Sequence, residues 1–211
     1  MDQHFEYLTA EVDRAALVDL RSWLAGPSAS LLDGSGGRLW GAWLGAGSIG
    51  WHDDQVVAMV AWPHADPPAG SLGEAWLVGG PGVASVGSVS SVGLVPTVRP
   101  TTADRLQPGG VFAHRWFEVA PDRTEEIVSL SAEAWPAFEG AYEATIHGLF
   151  RTTGGAGRLL LVTRYASVAE WERSRGVGRS GSGDLGRARE NFERRRSLTG
   201  RQVVRIAPLA S

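Results

Sequence analysis

The sequence predicts an α+β protein built as a tandem duplication of one βαββαβ unit. Three observations carry that expectation. Runs with a period of two alternate with runs at helical spacing, in the order strand, helix, strand, strand, helix, strand, twice over. Four stretches of the first half recur, in the same order, in the second half. A Pro- and Gly-containing stretch at 101–110 separates the two sets. The predicted organisation is a degenerate first repeat at 1–100, a linker at 101–110 and a better-kept second repeat at 111–211.

In the first half, His4 to Val12 alternates around Phe5, Tyr7 and Leu8 and reads as a strand. Asp13 can cap the helix that follows, where Ala16, Leu17, Leu20, Trp23 and Leu24 recur at helical spacing until Gly26-Pro27 stops it. Arg38 to Gly45 is a second strand, and Trp51 to Gln55 a turn. Val56 to Trp62 is apolar without a break, which predicts a central strand covered on both faces. The stretch 63–83 carries many Pro and Gly residues and predicts a stunted helix or an irregular loop. Val86 to Val98 returns as a strand.

In the second half, Val111 to Val119 is a strand and Pro121 opens a helix with Glu125 and Glu126 in its first turn, where negative charge suits the helix dipole. Its apolar stripe is Ile127, Leu130, Ala134 and Phe138, with Trp135 alongside, and Pro136 predicts a kink or an early end. Ala144 to Thr152 and Leu159 to Tyr165 are strands, the latter central, and Ser167 caps a helix through Glu170 and Trp171. Gly176 to Gly186 reads as a flexible insertion. Asp184 to Leu198 is a charged helix with a thin stripe of Leu185, Ala188 and Phe192, and Arg201 to Leu209 is the last strand.

The repeats align at both strand–helix junctions, Glu11 to Arg14 over Ala120 to Arg123. Gly41 to Trp43 lies over Gly148 to Phe150, Val56 to Trp62 over Leu159 to Tyr165, and Leu94 to Pro96 over Ile206 to Pro208. Each unit is then the split βαβ, or ferredoxin-like, motif, with both helices on one face of its sheet. The bare face must be covered by the other repeat or by a partner chain. The expected body is two repeats packed sheet to sheet like a dimeric α/β-barrel, as a monomeric pseudo-dimer or a homodimer, with a cavity at the seam.

The run Arg115, Trp116, Phe117, Glu118, Val119, Ala120, Pro121, Asp122, Arg123 resembles the opening strand and helix start of the NIPSNAP family, whose pattern is roughly R-x-Y-x-V-x-P-G-K. The segments Glu133 to Pro136, Gly148 to Phe150 and Arg164 to Glu170 are similar to that family as well. The resemblance spans about 111–209 and departs at Phe117, where Tyr is usual, at Asp122, where Gly is usual, and in the glycine-rich insertion. It implies the dimeric α/β-barrel superfamily, whose members include cofactor-independent oxygenases, isomerases, polyketide cyclases and haem-dependent enzymes. They share a scaffold more than a chemistry.

Composition excludes several chemistries. The chain has no Cys, which removes thiolate nucleophiles, disulfides and Cys-ligated metals. All 20 basic residues are Arg, so Schiff-base chemistry has no lysine to use. A net charge of −3 favours neither nucleic acid nor an anionic membrane. No apolar run reaches the roughly 18 residues of a membrane span, and the first residues do not read as a secretion signal; the predicted location is cytoplasmic.

Strand alternation proposes a site. On 111–119, one face carries Phe112, His114, Trp116 and Glu118; the other carries Ala113, Arg115, Phe117 and Val119. The second face is assigned to the helices, with Arg115 as an exception. His114, Glu118, His147 and Tyr165 are therefore the candidate catalytic groups, with Thr163 beside them. Trp116, Phe5, Tyr7, Trp40 and Trp62 are the candidate substrate-binding residues, with Thr9 and Val60 at equivalent positions. A His or Glu walled by aromatics is desolvated, which moves its pKa toward neutrality and suits general acid/base work. The expected function is a small-molecule enzyme of oxygenase, isomerase or cyclase type, acting without a cofactor on an apolar or aromatic metabolite. The alternatives are a non-catalytic ligand-binding or protein-interaction module, and a haem protein using His114 or His147 as axial ligand.

Other clusters carry less. His52, Asp53 and Asp54 sit in a turn, and His64 and Asp66 in a Pro-rich loop, and neither has zinc-site spacing. No G-x-S-x-G elbow is present, and Gly34 to Gly37 and Gly154 to Gly157 lack both G-x-G-x-x-G spacing and a following helix and read as turns. The Arg-rich stretch 173–201 is interrupted by Glu190 and Glu193 and reads as a solvated helix face.

Overall fold

The computed structural model describes residues 3–26, 32, 36–62, 72–83, 89–155, 157–176 and 183–210. His64, Asp66 and most of the glycine-rich insertion lie outside the described residues. The chain divides into two compact units. One comprises Met1–Pro96, Thr101–Gly109 and Arg205–Ser211; the other comprises Thr97–Pro100 and Gly110–Val204.

The first unit runs β1 (His4–Glu11), α1 (Leu17–Ala25), β2 (Arg38–Leu44), β3 (Gln55–Trp62), α2 (Leu72–Val78) and β4 (Ser90–Pro96). Its strand order, β2-β3-β1-β4, is antiparallel and is that of a ferredoxin-like unit. Asp13 caps the single 3₁₀ turn before α1, its carboxylate accepting from the Ala15 amide at 2.9 Å. Leu20 and Leu24 of α1 are fully buried, each burial stabilising by about 1.5–3 kcal/mol. They meet Leu8, Ala10, Val56, Ala58, Val60 and Trp62, which sets the helix-covered face of the sheet. Trp23 of α1 stacks on Trp76 of α2 with ring centroids 5.0 Å apart. Every residue of β3 from Val56 to Trp62 is buried, as its unbroken apolar sequence predicts.

The second unit runs β5 (Val111–Val119), α3 (Thr124–Ala141), β6 (Ala144–Thr152), β7 (Arg158–Tyr165), α4 (Val168–Gly176), α5 (Asp184–Leu198) and β8 (Thr199–Ala207). The order β6-β7-β5-β8 repeats the topology of the first unit, with α5 added before the last strand. Pro121 starts a 3₁₀ turn into α3, and Pro136 does not end that helix, which continues to Ala141. Ser167 caps α4, its hydroxyl accepting from the Glu170 amide at 3.1 Å. Phe117, Val119, Leu159 and Leu161 pack with Ile127, Val128 and Trp135, so the odd-numbered side of β5 faces the helices as predicted.

The two units share one local device. Both second strands carry a register shift just before a matched glycine, Gly41 in β2 and Gly148 in β6. A Cβ on Gly41 would stand 2.6 Å from the Trp43 ring, and one on Gly148 2.5 Å from the Phe150 ring. Each glycine leaves room for the aromatic residue two places on. No helix of the described residues is long and apolar enough to cross a membrane.

Candidate functional site

The candidate site lies inside the second unit, on the side of the sheet that carries the helices. A cavity of about 440 Å³ is lined by Ala113 and Arg115 of β5, Leu161, Thr163 and Tyr165 of β7, and Gln202 and Val204 of β8. Trp135 and Phe138 of α3, with Tyr142 just beyond it, form an aromatic wall; Arg175 of α4 and Arg189, Phe192, Arg195 and Arg196 of α5 close the other side.

Register explains the lining. Ala113 pairs with Thr163, Arg115 with Leu161 and Val111 with Tyr165, and cross-strand partners share a face. On α5, Leu185, Ala188, Phe192 and Arg195 follow helical spacing, so Arg195 continues the apolar stripe one step further. That step carries a charge into the core.

Arg195 is only 6% exposed. Its Nη1 donates to the Ser131 hydroxyl at 3.2 Å, and its guanidinium lies 5.1 Å from the Phe117 ring and 4.9 Å from the Phe192 ring. Burial, reinforced by the neighbouring Arg115 charge, pushes its pKa down to about 9, so it remains a cation at neutral pH. Burial also pushes Arg115 down, against the opposing influence of Tyr165. Tyr165 is 4% exposed, and burial pushes its phenol up; Arg115, a hydrogen bond with Ser174, Arg195 and Arg175 pull the other way. The phenol therefore keeps its proton at neutral pH.

The sequence-derived residues divide between faces. His114 pairs with Val162 and Trp116 with Leu160, on the opposite side of the sheet from Thr163 and Tyr165. Grouping Tyr165 and Thr163 with His114 is thus corrected: the register pairs even-numbered residues of β5 with even-numbered residues of β7. The same slip affected the first unit. Phe5 pairs with Ala61 and Tyr7 with Met59, so Trp62 and Val60 lie on the helix-covered face, away from Phe5 and Tyr7. Trp40 packs edge-on against Phe5, ring centroids 5.6 Å apart.

His114 is fully buried, and Glu118 is exposed near the end of β5. His147 stacks on Phe112 with centroids 5.7 Å apart, and burial, with Arg164 next, lowers its pKa to about 4. Trp116 is capped by the Arg158 guanidinium at 5.1 Å. Of the four candidate catalytic residues, only Tyr165 borders the cavity.

Arg115 and Arg195 were missed as site residues. The signal was present: an arginine on the apolar face of β5, and a second at the next stripe position of α5. The solvated-face reading holds for Arg173 and Arg187, which pair with Glu170 and Asp184 within their own helices, and for Arg194, paired with Glu126. It is corrected for Arg195. In the first unit, Glu6 also went unremarked; it is buried and accepts from the Trp62 indole at 3.0 Å. No group of three or more metal-ligating side chains occurs among the described residues.

No family model and no curated protein matches the sequence. Solved structures do match. A candidate monooxygenase from Lactobacillus acidophilus covers 100% of this chain and 95% of its own at a TM-score of 0.65 and 10% identity. A chlorite dismutase from Candidatus Nitrospira defluvii covers 99% and 91% at 0.58 and 10%. A NIPSNAP family protein from Agrobacterium tumefaciens covers 50% and 90% at 0.40 and 18%. At these identities the likeness shows the fold, a ferredoxin-like α+β architecture.

One expectation is overturned by these matches. Chemistry without a cofactor is not a property this fold enforces, because the chlorite dismutases that share it are haem proteins. The cavity residues of this chain do not fit that group, however. No His, Cys or Met lines the cavity, and His114 and His147 belong to the other face of the sheet. The two phenols in the lining, Tyr142 and Tyr165, are both pushed up by burial, away from the phenolate that would ligate iron.

Proposed function

We propose that the protein is a small-molecule enzyme whose working site is the helix-side cavity of the second unit. It acts on an apolar or aromatic metabolite through acid/base chemistry, of the oxygenase, isomerase or cyclase type. The observation that carries this reading is Tyr165, a buried, protonated phenol on a cavity with an aromatic wall of Trp135, Phe138 and Phe192. An aromatic wall excludes water and holds a ring, and a buried phenol can hand a proton to an oxyanion or carbanion as it forms. The Arg115 and Arg195 guanidinium groups line the same cavity and favour a negatively charged ligand there. Tyr165 is the proposed general acid, and Ser174 positions its hydroxyl.

Hydrogen–deuterium exchange at the benzylic carbon of phenylpyruvate in D₂O, followed by NMR, tests the reading. The protein is expected to accelerate exchange, Tyr165 protonating the ketone oxygen as solvent D₂O takes the benzylic proton, and Tyr165→Phe to slow it by about 10²–10⁴-fold, the usual weight of a general acid or base. Unaltered exchange in Tyr165→Phe would remove the proposed acid.

A further inference from the structure

The cavity holds more positive charge than its surroundings neutralise. Arg115, Arg175, Arg189, Arg195 and Arg196 all line it, yet none forms a salt bridge among the described residues. Four acids of the same unit are engaged elsewhere: Glu126 by Arg123 and Arg194, Glu139 by Arg99, Glu170 by Arg173 and Asp184 by Arg187. Glu193 is the single carboxylate in the lining; it is exposed and forms no ion pair among the described residues. The stretch 177–182 contains no acidic residue that could serve instead.

A cation as buried as Arg195 ordinarily has a counter-charge, because taking it out of water alone is costly. Here its surroundings supply one hydroxyl and two aromatic faces. A guanidinium carries five donors in a planar fork, of which the Ser131 contact uses one. Among the described residues no carboxylate meets the Arg195 guanidinium, and the rest of its fork is open to an anion.

We propose that the ligand is an aromatic carboxylate, bound with its carboxylate on Arg115 and Arg195 and its ring against Trp135, Phe138 and Phe192. This rests on the reading of the cavity as the working site and names its substrate class. The planar fork matches a carboxylate in two parallel hydrogen bonds. The aromatic wall separates this ligand from a bare phosphate, which has no ring to bury. With two guanidinium groups on the carboxylate, Tyr165 is left for the reacting end of the molecule.

Isothermal titration of the full chain with 1-naphthoate, 1-naphthalenemethanol and inorganic phosphate tests the proposal. The naphthoate is expected to bind at least about tenfold more tightly than the alcohol, a preference within reach of one charge-assisted pair. Arg195→Met and Arg115→Met should each abolish that preference while leaving alcohol binding intact, which also shows that the variants fold. Arg195→Lys, which keeps the charge and loses the fork, should retain only part of it. Equal affinity for naphthoate and alcohol would overturn the anion site and leave the aromatic cavity standing. Binding of neither naphthalene compound would overturn both readings. Phosphate binding as tightly as naphthoate would remove the aromatic acid as the ligand class.

Discussion

Replacing Arg195 by Met should stabilise the ligand-free protein. Methionine keeps most of the apolar stem between Phe117 and Phe192 and deletes the charge. Burial holds the Arg195 pKa at about 9, and at about 1.4 kcal/mol per pH unit the depression bounds the cost of the folded charge at about 5 kcal/mol. The gain is smaller than that bound. The Ser131 hydrogen bond, about 1.5–3 kcal/mol for a charged donor, and two cation–π contacts are lost together with the charge. A net stabilisation of at most about 2.5 kcal/mol remains, in line with other replacements of buried charges by apolar groups. The sign follows from linkage: below about pH 9 both folded and unfolded chains carry the proton, so the full penalty is present at neutral pH. Above about 9 the folded chain releases it first, and this contribution to stability rises with pH. Urea unfolding at pH 7, comparing the parent with Arg195→Met, reads the effect directly. Destabilisation by more than about 1 kcal/mol would mean that Arg195 has a counter-charge in the free protein, and the argument for an anionic ligand would lose its basis.

Further expectations concern other parts of the molecule. His147, whose pKa is lowered to about 4 by burial and then by Arg164, resists protonation when folded. Its contribution to stability is complete above about pH 6.5 and is lost as the pH falls toward 4, by up to about 3 kcal/mol; His147→Asn should flatten that limb of a urea stability–pH profile. Gly148→Ala drives a methyl group into the Phe150 ring and should cost about 1–3 kcal/mol in the same assay. Trp62→Phe removes the indole that donates to the buried Glu6 carboxylate and should cost about 1–3 kcal/mol.

Most of the fold was legible because local signals and burial agree in it. The matched Gly41 and Gly148, the Asp13 and Ser167 caps, and the unbroken apolar β3 each have one physical explanation, and the structure contains it. The site was only half legible. Alternation divided the faces of β5 correctly, but alternation within one strand does not tell which side chains of the next strand share its face. Register decides that, and it placed Tyr165 with Arg115 rather than with His114. Charge on an amphipathic stripe was the other obstacle. Arg195 occupies a core position of α5 by spacing, and its charge argued for solvent more strongly than its position argued for burial.

The proposed working site lies on the helix side of the second unit and not on the face that carries His114. The most direct test is the affinity of 1-naphthoate measured side by side on Arg115→Met and His114→Gln. Loss of binding in Arg115→Met with near-parental binding in His114→Gln is the predicted result. Loss in His114→Gln with binding retained in Arg115→Met would contradict it.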